Sequence, residues 1–212
     1  MKHFAIYYIA TSNYKMGFEY FKKNLPYFYP DMRKTVIILS DGLTEWDNVV
    51  EGNITYKVFH INHFCWPIIT LFKMKFILDH KIDCDYAIYF NGNLQYNPEV
   101  SIKPLDLSKL NVSTHVCHSD SSDYIMGGLF FDKASIFYKM CEDVSIMVEN
   151  SLKRNIIPKW HDETLLNEWV KNNLDLVSQP HKLISLGFND KTPFAIIDTI
   201  EKDRRTDKRY YD

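Results

Sequence analysis

Three continuous apolar runs of β-forming residues constrain this chain most: FAIYYIA at 4–10, TVIILS at 35–40 and DYAIYF at 85–90. A strand solvated on one face alternates apolar with polar residues. A strand covered on both faces does not, and strands of parallel sheets are covered on both faces. ITYKVFH at 54–60 alternates and reads as a further strand. Helical patterns lie between, one over 14–24 that Pro26 stops, and one over 67–81 with Pro67 in its first turn. Asp41-Gly42 closes the second run with turn chemistry. This alternation predicts an α/β fold, with a mostly parallel central sheet flanked by helices. In such sheets ligands bind beyond the carboxyl ends of the strands, so the loops after residues 10, 41 and 90 are where a site is expected.

The second half is less regular. Strands are expected over 112–118, 124–131 and 194–200, and helices over 133–154 and 161–172. With no internal repeat and no low-complexity linker, the 212 residues read as a single domain. The net charge of −2 gives no basic field for nucleic acid. Cys65, Cys84, Cys117 and Cys141 form no CxxC pair and read as reduced thiols of a cytoplasmic protein. The first residues, MKHFAIYYIA, resemble a short signal peptide but read better as a first strand. No stretch offers the roughly 18 uncharged apolar residues of a membrane span. The aromatic share, 15%, is high; aromatics fill cores first, but Tyr and Trp also suit stacking on sugar and base faces.

Three segments carry candidate chemistry. Asn91-Gly92-Asn93 follows the run 85–90. It is either a hairpin turn or a ligand loop whose glycine lets a diphosphate approach the backbone. Trp160-His161-Asp162-Glu163 opens a helix, where the dipole favours the two acids. Carboxylates beside Trp and His cost desolvation unless they are paired or at work as nucleophile, base or electrostatic stabiliser. Tyr124-Ile125-Met126-Gly127-Gly128 is either a strand closing on a bulge or a strand whose glycines make room for a substrate. His60, His63 and Cys65, and likewise His115, Cys117 and His118, are near one another without a zinc-like spacing. The basic tail KDRRTDKR at 202–209 reads by itself as a solvated terminus.

Together these segments resemble glycosyltransferase family 6, which holds the histo-blood-group A and B transferases, the α-1,3-galactosyltransferases and shorter bacterial relatives. The match runs from about Ile9 to Lys202, and WHDE at 160–163 is its most specific element, with YIMGG at 124–128 and the helix beginning at Trp66 in support. The resemblance implies a GT-A fold and transfer of galactose or N-acetylgalactosamine from a UDP-sugar to the 3-hydroxyl of a β-galactoside, free or lipid-linked, with retention. It implies Glu163 as the catalytic carboxylate and Asp162 as a ligand of the donor sugar. Ile9, Ala10, Thr11 and Tyr14 match the uridine pocket, and Thr70 and Lys73 match positions facing the donor. Met126, Gly127 and Gly128 match the donor-sugar segment, and His115, Trp160 and His161 the acceptor side.

The departures are informative. Mammalian members have Asp-X-Asp, a Mn²⁺ site, where this chain has Asn91 and Asn93. Amides are poor ligands for a hard divalent cation, so no metal is expected. The tail 201–212, with Lys202 and Arg204 nearest the family's basic position, is then expected to close over the donor and meet the diphosphate charge. Between His115 and Tyr124 the segment is short, leaving the acceptor open. Gly128 favours UDP-GalNAc by its room, while Met126 is the residue type of galactose-specific relatives. The expected setting is the cytoplasm of a bacterium, peripheral at the inner membrane. Two alternatives stand beside this reading: a UDP- or carbohydrate-binding protein with weakened catalysis, and a retaining GT-A transferase with a different donor.

Overall fold

The computed structural model describes residues 1–64, 67–100, 108–114, 124–178, 182–186 and 191–196. In chain order the elements are β1 (His3–Ala10), α1 (Phe18–Asn24), β2 (Arg33–Ser40), β3 (Val50–Glu51), β4 (Ile54–His60), α2 (Ile68–Leu71), α3 (Lys73–Asp79), β5 (Tyr86–Asn91), β6 (Leu94–Tyr96), β7 (Asn111–Thr114), β8 (Ile125–Lys133), α4 (Ala134–Lys153), α5 (His161–Asn172), β9 (Ile184–Leu186) and β10 (Phe194–Ile196). Among the described residues a seven-stranded sheet runs β3-β4-β2-β1-β5-β8-β7, and a second sheet runs β6-β10-β9. Strands β4, β2, β1 and β5 are mutually parallel, whereas β8 is antiparallel to β5 and to β7. The result is the mixed α/β architecture of a GT-A-like fold, with the mostly parallel sheet expected from the apolar runs.

Those runs are continuous because both faces of the sheet are covered. Tyr7, Ile37, Tyr89 and Phe130 pack on one side with Phe137, Met140 and Val144 of α4 and Leu165 and Trp169 of α5. Ile6, Tyr8, Ile38 and Phe90 pack on the other with Phe18 and Phe21 of α1 and Leu94 and Phe194 of the small sheet. The buried residues of α4 recur at spacings of three and four, the stripe of a helix with one covered face.

Three local features differ from expectation or decide it. The helix expected over 67–81 is two helices that part at Phe72 and end at Asp79. Ile68, Ile69 and Thr70 are β-branched and weaken the first of them. Asn91-Gly92-Asn93 is not a hairpin turn, because β5 belongs to the large sheet and β6 to the small one. Finally, β8 bulges: Val112 faces Phe130 and Thr114 faces Ile125, so two steps along β7 match five along β8. Since β8 runs against β5, this bulged beginning lies at the same edge as the carboxyl ends of β1, β2 and β5.

Candidate active site

On the β1 side of that edge, Ile9, Ala10 and Thr11 are buried and Tyr14 is half-buried. Ser12 adopts a left-handed φ of 52°, and its N–H donates to both carboxylate oxygens of Asp41 at 3.2 Å. Lys15 pairs with Asp41 at 3.0 Å. Burial works against the Asp41 carboxylate, but Lys15 and Ser12 outweigh it and hold its pKa below the ordinary value. Asp41 thus ties the loop carrying Thr11 and Tyr14 to the end of β2. Gly92 is required here by packing: a Cβ on it would stand 2.8 Å from the Tyr14 ring and 2.9 Å from the Ile9 carbonyl oxygen. The Tyr8 hydroxyl donates to the Gly92 carbonyl at 2.9 Å, fixing the same crossing.

The two asparagines are engaged with each other. Asn91 Nδ2 donates to Asn93 Oδ1 at 2.8 Å, and the Tyr89 hydroxyl donates to Asn91 Oδ1 at 3.2 Å. Burial pushes the Tyr89 hydroxyl up to about 12, so it stays a proton donor at neutral pH. Neutral amides already bonded to one another and to a tyrosine do not form a fitting ligand set for a hard cation.

Across the edge, the first turn of α5 docks onto the beginning of β8. Gly127 permits it, because a Cβ there would stand 2.7 Å from Asp162 Oδ2 and 2.8 Å from Glu163 Cγ. The space left by this glycine is therefore filled by the protein's own carboxylates. The Gly127 N–H donates to Glu163 Oε1 at 2.9 Å. The Lys73 ammonium donates to the Gly127 carbonyl at 2.6 Å and lies 2.8 Å from Asp162 Oδ2. That oxygen has the ion pair but no well-angled hydrogen bond, so its compensation is mainly coulombic. Lys73 and Asp162 are 4% and 3% exposed, so each charge depends on the other. Burial pushes the Lys73 pKa down, but Asp162 foremost, with Tyr89 and Glu163, outweighs it and holds the ammonium above its ordinary range. Its charge also lies 4.9 Å from the Tyr89 ring centre, linking the carboxylates to the asparagine pair.

The other expected residues fall around this core. Met126 is buried, and its methyl would meet a Cβ on Gly128 at 2.7 Å, with Asn91 Cβ at 3.5 Å. The end of Met126 therefore leans into the room beside Asn91. Thr70 turns its hydroxyl back to the Pro67 carbonyl at 2.8 Å. Trp160 is 47% exposed, whereas His161 is buried with a left-handed φ of 52°. Burial lowers the His161 pKa, with Asp162 opposing. His115, Lys202 and Arg204 lie outside the described residues, as do Cys65, Cys117 and His118. His60 and His63 are exposed, and Cys84 and Cys141 are free thiols.

Sequence reading missed three supporting residues. Tyr89 shares a strand face with Asn91, two residues on. Asn167 lies one turn after Glu163 and bonds the main chain of Ile125. Asp41 was read only as turn chemistry. A separate concavity of about 410 Å³, lined by Lys81, Cys84, Ser135 and Tyr138, sits at the opposite end of β5 and takes no part in this arrangement.

No protein-family model matches the chain. Over 199 residues, 81% of this chain and 83% of the relative, it is 23% identical to the O-antigen biosynthesis glycosyltransferase WbnI of Escherichia coli. Likeness along four fifths of both chains, with two carboxylates at the carboxyl edge of the parallel strands in a GT-A-like sheet, supports a glycosyltransferase.

Proposed function

We propose that the chain is a retaining glycosyltransferase of the family 6 type, moving GalNAc or Gal from a UDP-sugar to the 3-hydroxyl of a β-galactoside in α-1,3 linkage. The observation that carries this reading is the Glu163 carboxylate, anchored by the Gly127 N–H beside the buried Lys73–Asp162 pair. A carboxylate held in advance by main chain is ready to meet positive charge developing at an anomeric carbon. Glu163 either attacks that carbon opposite UDP, which leaves with the bond electrons before the acceptor hydroxyl displaces the carboxylate, or stabilises the cation while the acceptor enters on the UDP side; in both the acceptor's proton goes to the departing UDP phosphate. Asp162 holds the donor sugar; Tyr14 stacks on uracil, with Ile9, Ala10 and Thr11 beneath it. Lys73 serves the donor side through Asp162, and Thr70, its hydroxyl on the Pro67 carbonyl, lies one turn before it. His115, Trp160 and His161 form the acceptor side. UDP-GalNAc is favoured if the flexible Met126 swings out of the room beside Gly128; with Met126 in place, that room suits galactose.

Transfer proceeds without a metal ion in this reading. Two carboxylates at positions 91 and 93 would repel and call for a cation, whereas the Asn91 and Asn93 amides hydrogen-bond to each other. Charge on the departing UDP is then met by the tail, with Lys202 and Arg204 as its first cations. Ile196 pairs with Leu94, so the chain leaves β10 beside Asn93. Lys202 follows six residues later, a reach of at most about 20 Å. No helix among the described residues is long and apolar enough to cross a membrane. A lipid-linked surface glycan as acceptor, met by a protein working at the cytoplasmic face of the membrane, agrees with the O-antigen role in the relative's name.

Incubation with UDP-Gal and UDP-GalNAc, a panel of β-galactosides and EDTA tests this. UDP release should survive EDTA and fall by about a thousandfold in Glu163→Gln. A strict Mn²⁺ requirement defeats the metal-free mechanism. UDP binding without turnover in the unaltered protein makes it a binding protein instead.

A further inference from the structure

The last pair joining β5 to β8 is Phe90 with Leu129, so no β5 residue meets Ile125 or Gly127. Their backbone groups are taken by side chains instead. Gly127 donates to Glu163 and accepts from Lys73. Ile125 donates its N–H to Asn167 Oδ1 at 2.9 Å, and its carbonyl accepts from Asn167 Nδ2 at 2.9 Å. The second N–H of that amide reaches the Glu163 carbonyl at 2.8 Å. A carboxamide presents one acceptor and one donor side by side, as the peptide of a neighbouring strand does. The spacing fits: residues 163 and 167 are one helical turn apart, about 6 Å of rise, and residues 125 and 127 are two strand residues apart, about 6.8 Å.

We propose that Asn167 is a positioning residue for Glu163. It locks α5 to β8 in the one register that brings the Glu163 carboxylate onto the Gly127 N–H. Asn167 is buried and uses its oxygen and both N–H groups in doing so. It acts through Glu163 and takes no direct part in the reaction. The inference rests on the reading of Glu163 as the catalytic carboxylate, but the coupling of Asn167 to the Gly127–Glu163 bond can be read without any turnover.

The test compares the full chain with Asn167→Leu and Asn167→Asp, following amide hydrogen exchange at Gly127 by NMR and UDP release from UDP-Gal and UDP-GalNAc. In Asn167→Leu, exchange at Gly127 should quicken at least about tenfold while α4 amides stay protected. Its kcat should fall about a hundredfold with donor KM nearly unchanged. In Asn167→Asp, an ionised carboxylate faces the carbonyls of Ile125 and Glu163; protonation restores one donor. Protection at Gly127 and kcat should therefore recover in part from pH 7 to pH 5, which the unaltered protein does not show. Unchanged exchange at Gly127 in Asn167→Leu, or no recovery in Asn167→Asp, overturns the positioning role. Full kcat in Asn167→Leu beside an inactive Glu163→Gln overturns it too and leaves the function standing. An unaltered protein that releases no UDP sinks the function, and the exchange result still decides the coupling.

Discussion

The two halves of β8 are held in place by different means. From Leu129 to Lys133 its backbone pairs with β5, and its side chains, Phe130 and Phe131 among them, serve the core. At Ile125 and Gly127 the backbone is matched by Asn167, Glu163 and Lys73. Where main chain pairs with main chain, side chains are exchangeable within the limits of volume. Where named side chains replace a strand, each becomes indispensable, and a carboxylate is fixed in the bargain. The cost at the Ile125–Gly127 end is the buried Lys73–Asp162 pair, whereas the β5-paired end buries a single acid, Asp132.

The widest contrast comes from Lys73→Met. It strands the Asp162 carboxylate in the interior and should cost about 3–5 kcal/mol by chemical denaturation, with Lys73→Met/Asp162→Asn recovering part of the loss. Phe131→Leu, in the half paired with β5, should cost under about 1.5 kcal/mol. Equal losses would erase the distinction. Next is Gly127→Ala, whose methyl meets Asp162 and Glu163 below 3 Å. It should cost about 1–3 kcal/mol and most of the activity, because α5 must move. Gly128→Ala meets the movable end of Met126 and should cost less. The smallest effect concerns His161. Its pKa is lowered by burial, so its contribution to stability is whole above the unfolded value of 6.5 and is lost as pH falls from there through the folded value. His161→Asn tolerates the left-handed φ. It should make the thermal midpoint fall less steeply below pH 6.5; His3, also lowered by burial, keeps part of the slope.

How much of this was legible depended on the length of each signal. The runs 4–10, 35–40 and 85–90 declared buried strands because seven or so apolar β-formers leave no other reading, and α4 and α5 declared themselves by periodicity. Of the small sheet only β10 was expected, at the start of the run 194–200; β6 and β9 have three residues each, too few for any period. The antiparallel course of β8 is invisible in its own residues, which would bury equally well in either direction. At the site, the pairing of a desolvated acid was expected, and Asp162 has it, but its partner Lys73 lies on another element ninety residues away and only the fold joins them. Asn167 looked like one more polar residue of a helix. Both Gly127 and Gly128 were expected to make room for a substrate, yet a side chain on the first would meet the carboxylates and on the second Met126.

The Thr114–Ile125 pairing carries one more consequence. Thr114 and Ile125 face each other across β7 and β8, and Ile125 lies two residues before Gly127. Whatever chain joins them therefore starts and ends at the edge that carries Gly127, Asp162 and Glu163. That arrangement is one of an interchangeable cassette, and a graft tests it: with another transferase's segment between Thr114 and Ile125, preference across the panel of β-galactosides should change while α5 and its carboxylates stay in register.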